Sequence, residues 1–289
     1  MKTKKAVITA AGKKQRNLPL QTLVDRDGVE KSVLEILIEE TFVAGIDEIG
    51  IVINPEDEHR YKEVVKNNKS RISFIYQSVP LGYGHAIYCA KDFSENSSIL
   101  HLVGDHLNVS LQPEGCSEKL VKIAEKESCT ISAVQSTSET QLPFYGTIGG
   151  KRVQGKKGLY KVEKVIEKPT PTEAEQSLIV PGLRSSHYLC FFGIHVLTPT
   201  VFDILGFELK KSKDPKSVTL SCALNELPKK EQYLAFEHPG MRYDIGSKYG
   251  LFTAQIALAL NGKDRDMVLT KMLELVGQKE LSYYNKQVD

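Results

Sequence analysis

Five short stretches of this 289-residue chain, the last two taken as a pair, end an apolar run in residues able to do chemistry. Ala6-Val7-Ile8 runs through Ala11-Gly12 into Lys13, Lys14, Gln15 and Arg16. A glycine there lets a ligand approach the backbone, and an arginine offers a planar, bidentate contact to phosphate. Gln77-Ser78-Val79-Pro80-Leu81-Gly82-Tyr83-Gly84-His85-Ala86 sets two glycines one residue apart ahead of a helical stretch. Backbone amides in such a turn can face a base or phosphates, and Gln77, with one acceptor and two donors, can read a pyrimidine edge. Leu102-Val103-Gly104-Asp105 ends in a carboxylate of the kind that holds Mg²⁺ against a nucleoside triphosphate. Finally, Glu167-Lys168-Pro169 and Arg242-Tyr243-Asp244-Ile245-Gly246 each place charge beside a proline or glycine turn.

Each stretch taken alone has a plainer reading. The first is a solvated basic loop, and the second an ordinary turn. Asp105 and Asp244 serve as helix N-caps, while Glu167 and Lys168 form a solvated edge. His106 invites assignment as a base, yet a phosphate oxygen attacking phosphorus has no proton to give up, so it stays outside the catalytic set.

The elements that must carry these residues alternate. Ala6–Thr9 reads as a strand, and Ser32-Val33-Leu34-Glu35 as a capping box opening an amphipathic helix that Gly45 can close. Ile49–Ile53 is again β-branched, Asn54-Pro55 opens a second helix, Ile72–Tyr76 and Ile99–Val103 are further strands, and His85–Ala90 starts a helix. This rhythm predicts an α/β fold with a mostly parallel sheet and helices on both faces, with ligands at the carboxyl ends of the strands. Beyond residue 128, strand character at Thr130–Gln135, Thr147–Gly149, Tyr160–Ile166 and Tyr188–Val196 extends the first half and covers it. Tyr249–Leu260 reads as an amphipathic helix and Met267–Val276 as a short one before a polar tail. With no internal repeat or long linker, residues 1–289 are expected to form one domain, its nucleotide-binding half about 1–128 and its sugar-binding half about 129–289.

Composition narrows the partners. The 38 basic and 36 acidic residues leave a formal charge of +2 with no basic stripe for nucleic acid or an anionic bilayer. Phosphate binding, if present, is local. Five scattered cysteines without C-x-x-C spacing point to reduced thiols in a cytoplasm. No stretch approaches the roughly 20 apolar residues of a membrane helix.

Taken in order, A-A-G-x-x-x-R, Q-x-x-x-x-G-x-G-H-A, a strand ending in Gly-Asp, F-Y-G at Phe144–Gly146, E-K-P and Y-D-I-G-S-K-Y-G resemble the sugar-1-phosphate nucleotidylyltransferases, above all the bacterial uridylyltransferases that act on glucose 1-phosphate. The resemblance runs from Ala6 to about Leu260. It implies a Rossmann-like three-layer nucleotidyltransferase fold with a mixed central sheet and an added sugar-binding strand region. It also implies Mg²⁺-dependent transfer of a uridylyl group from UTP to glucose 1-phosphate, giving a UDP-sugar and pyrophosphate. By that likeness Ala11, Gly12, Gln77 and Gly82 hold the uracil, Arg16 the triphosphate, and Asp105 with Asp244 the metal. Gly146 and Glu167 meet sugar hydroxyls, and Lys168 grips the sugar phosphate. In this reading Arg16, Asp105, Lys168 and Asp244 carry the catalysis.

The chain also departs from that family. Lys14 stands where the family has the second glycine of Gly-Leu-Gly-Thr-Arg, Leu20 follows the proline where the family has a triphosphate-binding lysine, and Leu220-Ser221-Cys222 replaces Leu-Thr-Asp. Lys14 on the shortened turn is expected to restore the missing charge. The same chemistry on dTTP or another sugar, or a sugar-nucleotide-binding regulator without turnover, is the alternative, and association into a homo-oligomer is left open.

Overall fold

Alternate residues of the first strand enter two different apolar cores. Ala6 and Ile8 pack into one, Val7 into the other, and Ile49, Ile51 and Ile53 divide from Val52 in the same way. A strand whose two faces are both buried must be sandwiched between helices, which accounts for its nearly continuous apolar run. The computed structural model describes residues 1–13, 15–110 and 112–288, with side chains through residue 279.

In chain order, β1 (Lys5–Thr9) leads to a small hairpin of β2 (Thr22–Val24) and β3 (Glu30–Ser32), then to α1 (Val33–Val43). β4 (Glu48–Ile53), α2 (Glu58–Val65), β5 (Ile72–Tyr76), α3 (Tyr83–Tyr88) and α4 (Lys91–Ser94) follow. β6 (Ile99–Val103), β7 (His106–Val109) and α5 (Cys116–Glu127) end the first half. The second half holds β8 (Thr130–Ser138), β9 (Gly146–Arg152), β10 (Leu159–Glu167), α6 (Pro171–Ser177) and β11 (His187–Leu197). It closes with α7 (Pro199–Lys211), α8 (Leu220–Glu226), β12 (Tyr233–Glu237), β13 (Met241–Asp244), α9 (Gly250–Leu260) and α10 (Arg265–Val288).

Nine strands share one mixed sheet in the order β5-β4-β1-β6-β11-β8-β12-β10-β9. Its first four run parallel, while β11 enters antiparallel between β6 and β8. Helices α1, α2, α5 and α9 contribute to the core on one face and α3, α7 and α8 to that on the other. The expected sheet is therefore present, with its parallel character concentrated in the first half.

Local signals form as read. Ser32 and Glu35 make the reciprocal capping box of α1, and Gly45 takes φ +85° just past its end. Two expectations need correcting. The last helix is not the short Met267–Val276 but runs Arg265–Val288, because its turns continue along a polar sequence that the apolar pattern did not mark. Asp105 and Asp244 cap no helix: Asp105 lies in the turn between β6 and β7, and Asp244 ends β13. No helix among the described residues is long and apolar enough to cross a membrane.

Candidate active site

The carboxyl ends of β1 and β6 open onto a cleft of about 540 Å³. Ala11, Gly12, Gln77, Gly82, Asp105, Glu167 and Lys168 line it, so seven residues singled out from the sequence converge on one space.

At one end, Gln77 continues from β5 and is buried. Its Nε2 donates to the Gly82 carbonyl at 3.0 Å and lies 3.0 Å from His85 Nδ1. Burial lowers the basicity of His85, which favours the neutral imidazole, and in the tautomer with its proton on Nε2 the Nδ1 accepts from the Gln77 amide. Both amide donors of Gln77 are thereby engaged, and its oxygen is the group left for a ligand. Gly82 adopts φ +94°, and a Cβ there would sit 2.8 Å from the Lys216 carbonyl oxygen. A Cβ on Gly84 would meet the Val218 oxygen at 2.5 Å. The paired glycines thus let the segment before α8 close against the loop, bringing Lys216 and Thr219 into the lining.

At the other end, β13 pairs antiparallel with β7, setting Asp244 opposite His106. Ile245 N–H donates to the Asp105 carbonyl at 3.0 Å, tying the two acidic turns together. Ligand atoms of Asp105, His106 and Asp244 fall within 4.8 Å of one another. Asp105 is gripped on both oxygens: His106 Nδ1 is 2.8 Å from Oδ1, and Gln15 Nε2 donates to Oδ2 at 2.5 Å. Gly246 N–H holds Asp244 Oδ1 at 2.9 Å. Two oriented, hard carboxylate oxygens fit Mg²⁺, which takes one or two protein carboxylates and completes its shell with phosphate and water.

The third wall is the turn after β10. Ser221 Oγ donates to Glu167 Oε2 at 2.5 Å. Lys168 is held at φ +50°, a left-handed conformation rare for lysine, and its N–H donates to the Tyr145 carbonyl at 3.2 Å. Such backbone geometry persists where surrounding structure over-determines it, as around a ligand.

Two assignments come out differently, and a third is not described. Arg16 does not line the cleft: its guanidinium turns to Glu56 (3.2 Å) and Asp57 (3.4 Å) at the start of α2. Gly146 is buried behind the wall, where a Cβ would press on Phe191 and Ser221 at 2.6 Å each; it makes room for the serine that holds Glu167. Lys14 lies outside the described residues. Lys13 lines the cleft instead.

Four contributors escaped the sequence reading: Gln15, Tyr83, Phe144 and Lys216. Gln15 had a signal, because Gly12 leaves the space its side chain fills; a Cβ on Gly12 would lie 2.8 Å from Gln15 Oε1. Arg242 is structural. Its Nη1 donates to the Phe191 carbonyl at the irregularity of β11, and its guanidinium stacks 3.6 Å from the Tyr145 ring.

A mixed sheet with helices on both faces, opening at its strand ends onto a cleft with paired carboxylates, defines a protein of nucleotide chemistry, and the chain belongs to the nucleotidyl transferase family, whose model matches residues 5–260. Among individual proteins, it is 30% identical over 286 residues to the UTP–glucose-1-phosphate uridylyltransferase of Streptococcus pneumoniae serotype 4, the match covering 90% of this chain and 91% of that one. It is 28% identical over 307 residues to the enzyme of the same name from Bacillus subtilis strain 168, with 97% and 99% covered. A crystal structure of UDP-glucose pyrophosphorylase complexed with UDP-glucose superposes with a TM-score of 0.70 at 24% identity, covering 88% of this chain and 98% of the other. The UDP-glucose pyrophosphorylase of Acinetobacter baumannii gives 0.72 at 20% identity, covering 95% and 100%.

Proposed function

We propose that this nucleotidyl transferase moves a uridylyl group from UTP to glucose 1-phosphate, releasing pyrophosphate and UDP-glucose. The observation that carries the reading is the meeting of Asp244 with Asp105, a residue lining the cleft that Gln77, Glu167 and Lys168 also line. Relatives that match nearly the whole chain bear the name of this activity, which supports the choice of nucleotide and sugar.

The Gln77 oxygen, left over when both amide protons are used, suits the N3–H of uracil or thymine and rejects the unprotonated N3 of cytosine. Lys168 meets the phosphate of the sugar 1-phosphate, and Glu167, steadied by Ser221, accepts hydrogen bonds from sugar hydroxyls. That phosphate oxygen is itself the nucleophile, so the residues need to hold it in line with the α-phosphorus. Mg²⁺ bound by Asp105 and Asp244 would offset the charge of the phosphates. The five cysteines are unpaired, which agrees with a reducing compartment such as the cytoplasm.

The test is pyrophosphate release from UTP, dTTP, CTP, ATP and GTP, each with several sugar 1-phosphates. UTP with glucose 1-phosphate should be fastest, and Asp105→Asn or Asp244→Asn should lose at least about a hundredfold while melting like the parent. A second reading, a sugar-nucleotide-binding regulator, draws on the outward turn of Arg16. Tight binding of UDP-glucose with no release across the panel would favour it.

A further inference from the structure

Tyr83 is the residue between the two glycines, and nothing in the proposed reaction has yet used it. Its position is set by backbone, since the approach of Lys216 and Val218 to Gly82 and Gly84 fixes the turn on either side. Its ring is braced from behind by the buried His101, with centroids 5.8 Å apart. His101 is itself fastened, its Nε2 lying 3.3 Å from Thr9 Oγ1 at the end of β1. The residue lines the cleft and is 37% exposed. Its hydroxyl makes no hydrogen bond among the described residues. A rigid ring with an unused polar tip, facing a ligand cleft, is a recognition element.

What it faces follows from the connectivity of a nucleotide. Gln77 and Gly82 stand at the base end, and Asp105 with Asp244 at the phosphate end. Tyr83 follows Gly82, and its phenol is close enough to Asp105 and Glu167 to feel their charge, so it stands between the base end and those carboxylates, where the ribose must run. We infer that the Tyr83 hydroxyl hydrogen-bonds a ribose hydroxyl and makes the cleft select ribonucleoside over deoxyribonucleoside triphosphates. This rests on the nucleotide reading above. Loss of hydration where the phenol packs into the cleft wall, with the carboxylates of Asp105 and Glu167 nearby, holds it above the usual tyrosine range, so it remains an O–H donor at neutral pH.

The experiment measures kcat/KM for UTP, 2′-deoxy-UTP and 3′-deoxy-UTP in the parent and in Tyr83→Phe, which deletes one oxygen and keeps the ring. The parent should prefer UTP to one of the deoxy analogues by at least about tenfold, or ~1.4 kcal/mol. Tyr83→Phe should lose that preference, with the UTP rate falling about tenfold through KM and the analogue changing less than about twofold. An unchanged preference, or a loss that appears in the KM of glucose 1-phosphate instead, overturns the inference while leaving the nucleotide reading intact. Calorimetric titration with UTP separates the two: a parent protein that neither binds nor consumes UTP defeats the nucleotide reading, and this inference with it. A thermal melt of Tyr83→Phe within a few degrees of the parent assigns the effect to the missing oxygen.

Discussion

Gln15 Nε2 sits 2.5 Å from Asp105 Oδ2, so a residue of the opening loop holds the carboxylate at the end of β6. With His106 on the other oxygen, Asp105 cannot rotate freely, and its orientation toward Asp244 is set before any ligand arrives. Partners of this kind typically change metal affinity 10–100-fold when removed. Gln15→Ala should therefore raise the Mg²⁺ concentration for half-maximal rate about tenfold with kcat at saturating metal nearly unchanged. A lower requirement would mean that the glutamine competes with the ion instead of orienting its ligand.

Glu167 and Lys168 are neighbours on the cleft wall for which we propose different duties, so they should fail differently. Lys168→Ala is expected to raise KM for every sugar 1-phosphate, at least about tenfold, because a charge-assisted contact to phosphate is lost. Glu167→Gln should reorder glucose, galactose and their analogues, and Ser221→Ala, which frees Glu167 Oε2, should do the same more weakly. Steady-state kinetics on a panel of sugar 1-phosphates decides it; a uniform loss from Glu167→Gln places sugar discrimination elsewhere.

Lys13, Lys168 and Lys216 border the cleft, and none has an ion-pair partner among the described residues. With Arg16 committed to Glu56 and Asp57, Lys13 is, among the described residues of the opening loop, the cation that lines the cleft, and we propose that it meets departing pyrophosphate. Lys13→Met should lower kcat about tenfold, equivalent to ~1.4 kcal/mol of transition-state stabilisation. Lys14→Met measured alongside distinguishes the two: a larger loss from Lys14 restores the charge relocation expected from the sequence.

His101 and His195 face each other across β6 and β11 in the core, and burial holds His101 well below the usual histidine range and His195 down to about 3. Their folded-state values lie below the unfolded value of about 6.5, so the unfolded chain binds more protons as pH falls. The stability they contribute is complete above about pH 6.5 and is lost progressively as pH falls below it, for His195 down to about pH 3 at about 1.4 kcal/mol per pH unit, with His101 adding in the same direction. Urea midpoints should drop between pH 7 and pH 5. A His195→Gln variant should show a shallower fall, and equal slopes would assign the acid sensitivity to other groups.

Much that is local could be read without coordinates. The strand from Ala6, the capping box of Ser32 and Glu35, the Asn54-Pro55 helix start and the strands Ile72–Tyr76 and Ile99–Val103 depend on neighbours a few residues away. So does the order of Gln77, Gly82, Asp105, Glu167 and Lys168 at the ends of strands, since a sheet with helices on both faces puts those ends together. The sequence alone therefore determined the fold class and seven of the residues that line the cleft.

Tertiary packing decided the rest. Asp244 reaches Asp105 because β13 pairs with β7 across more than 130 positions of chain, in a register that no local pattern encodes. Gln15 turns inward because Gly12 leaves it room, and Arg16 turns outward because the turn just before α2 presents two carboxylates to it. Both directions are contests between partners distant in sequence. Lys216 enters the cleft only because Gly82 and Gly84 let its segment close in, and Tyr83 becomes a rigid wall only because His101 stands behind it. Side-chain direction is set by which partner lies within a few ångströms, and for these residues that partner is supplied by the folded chain.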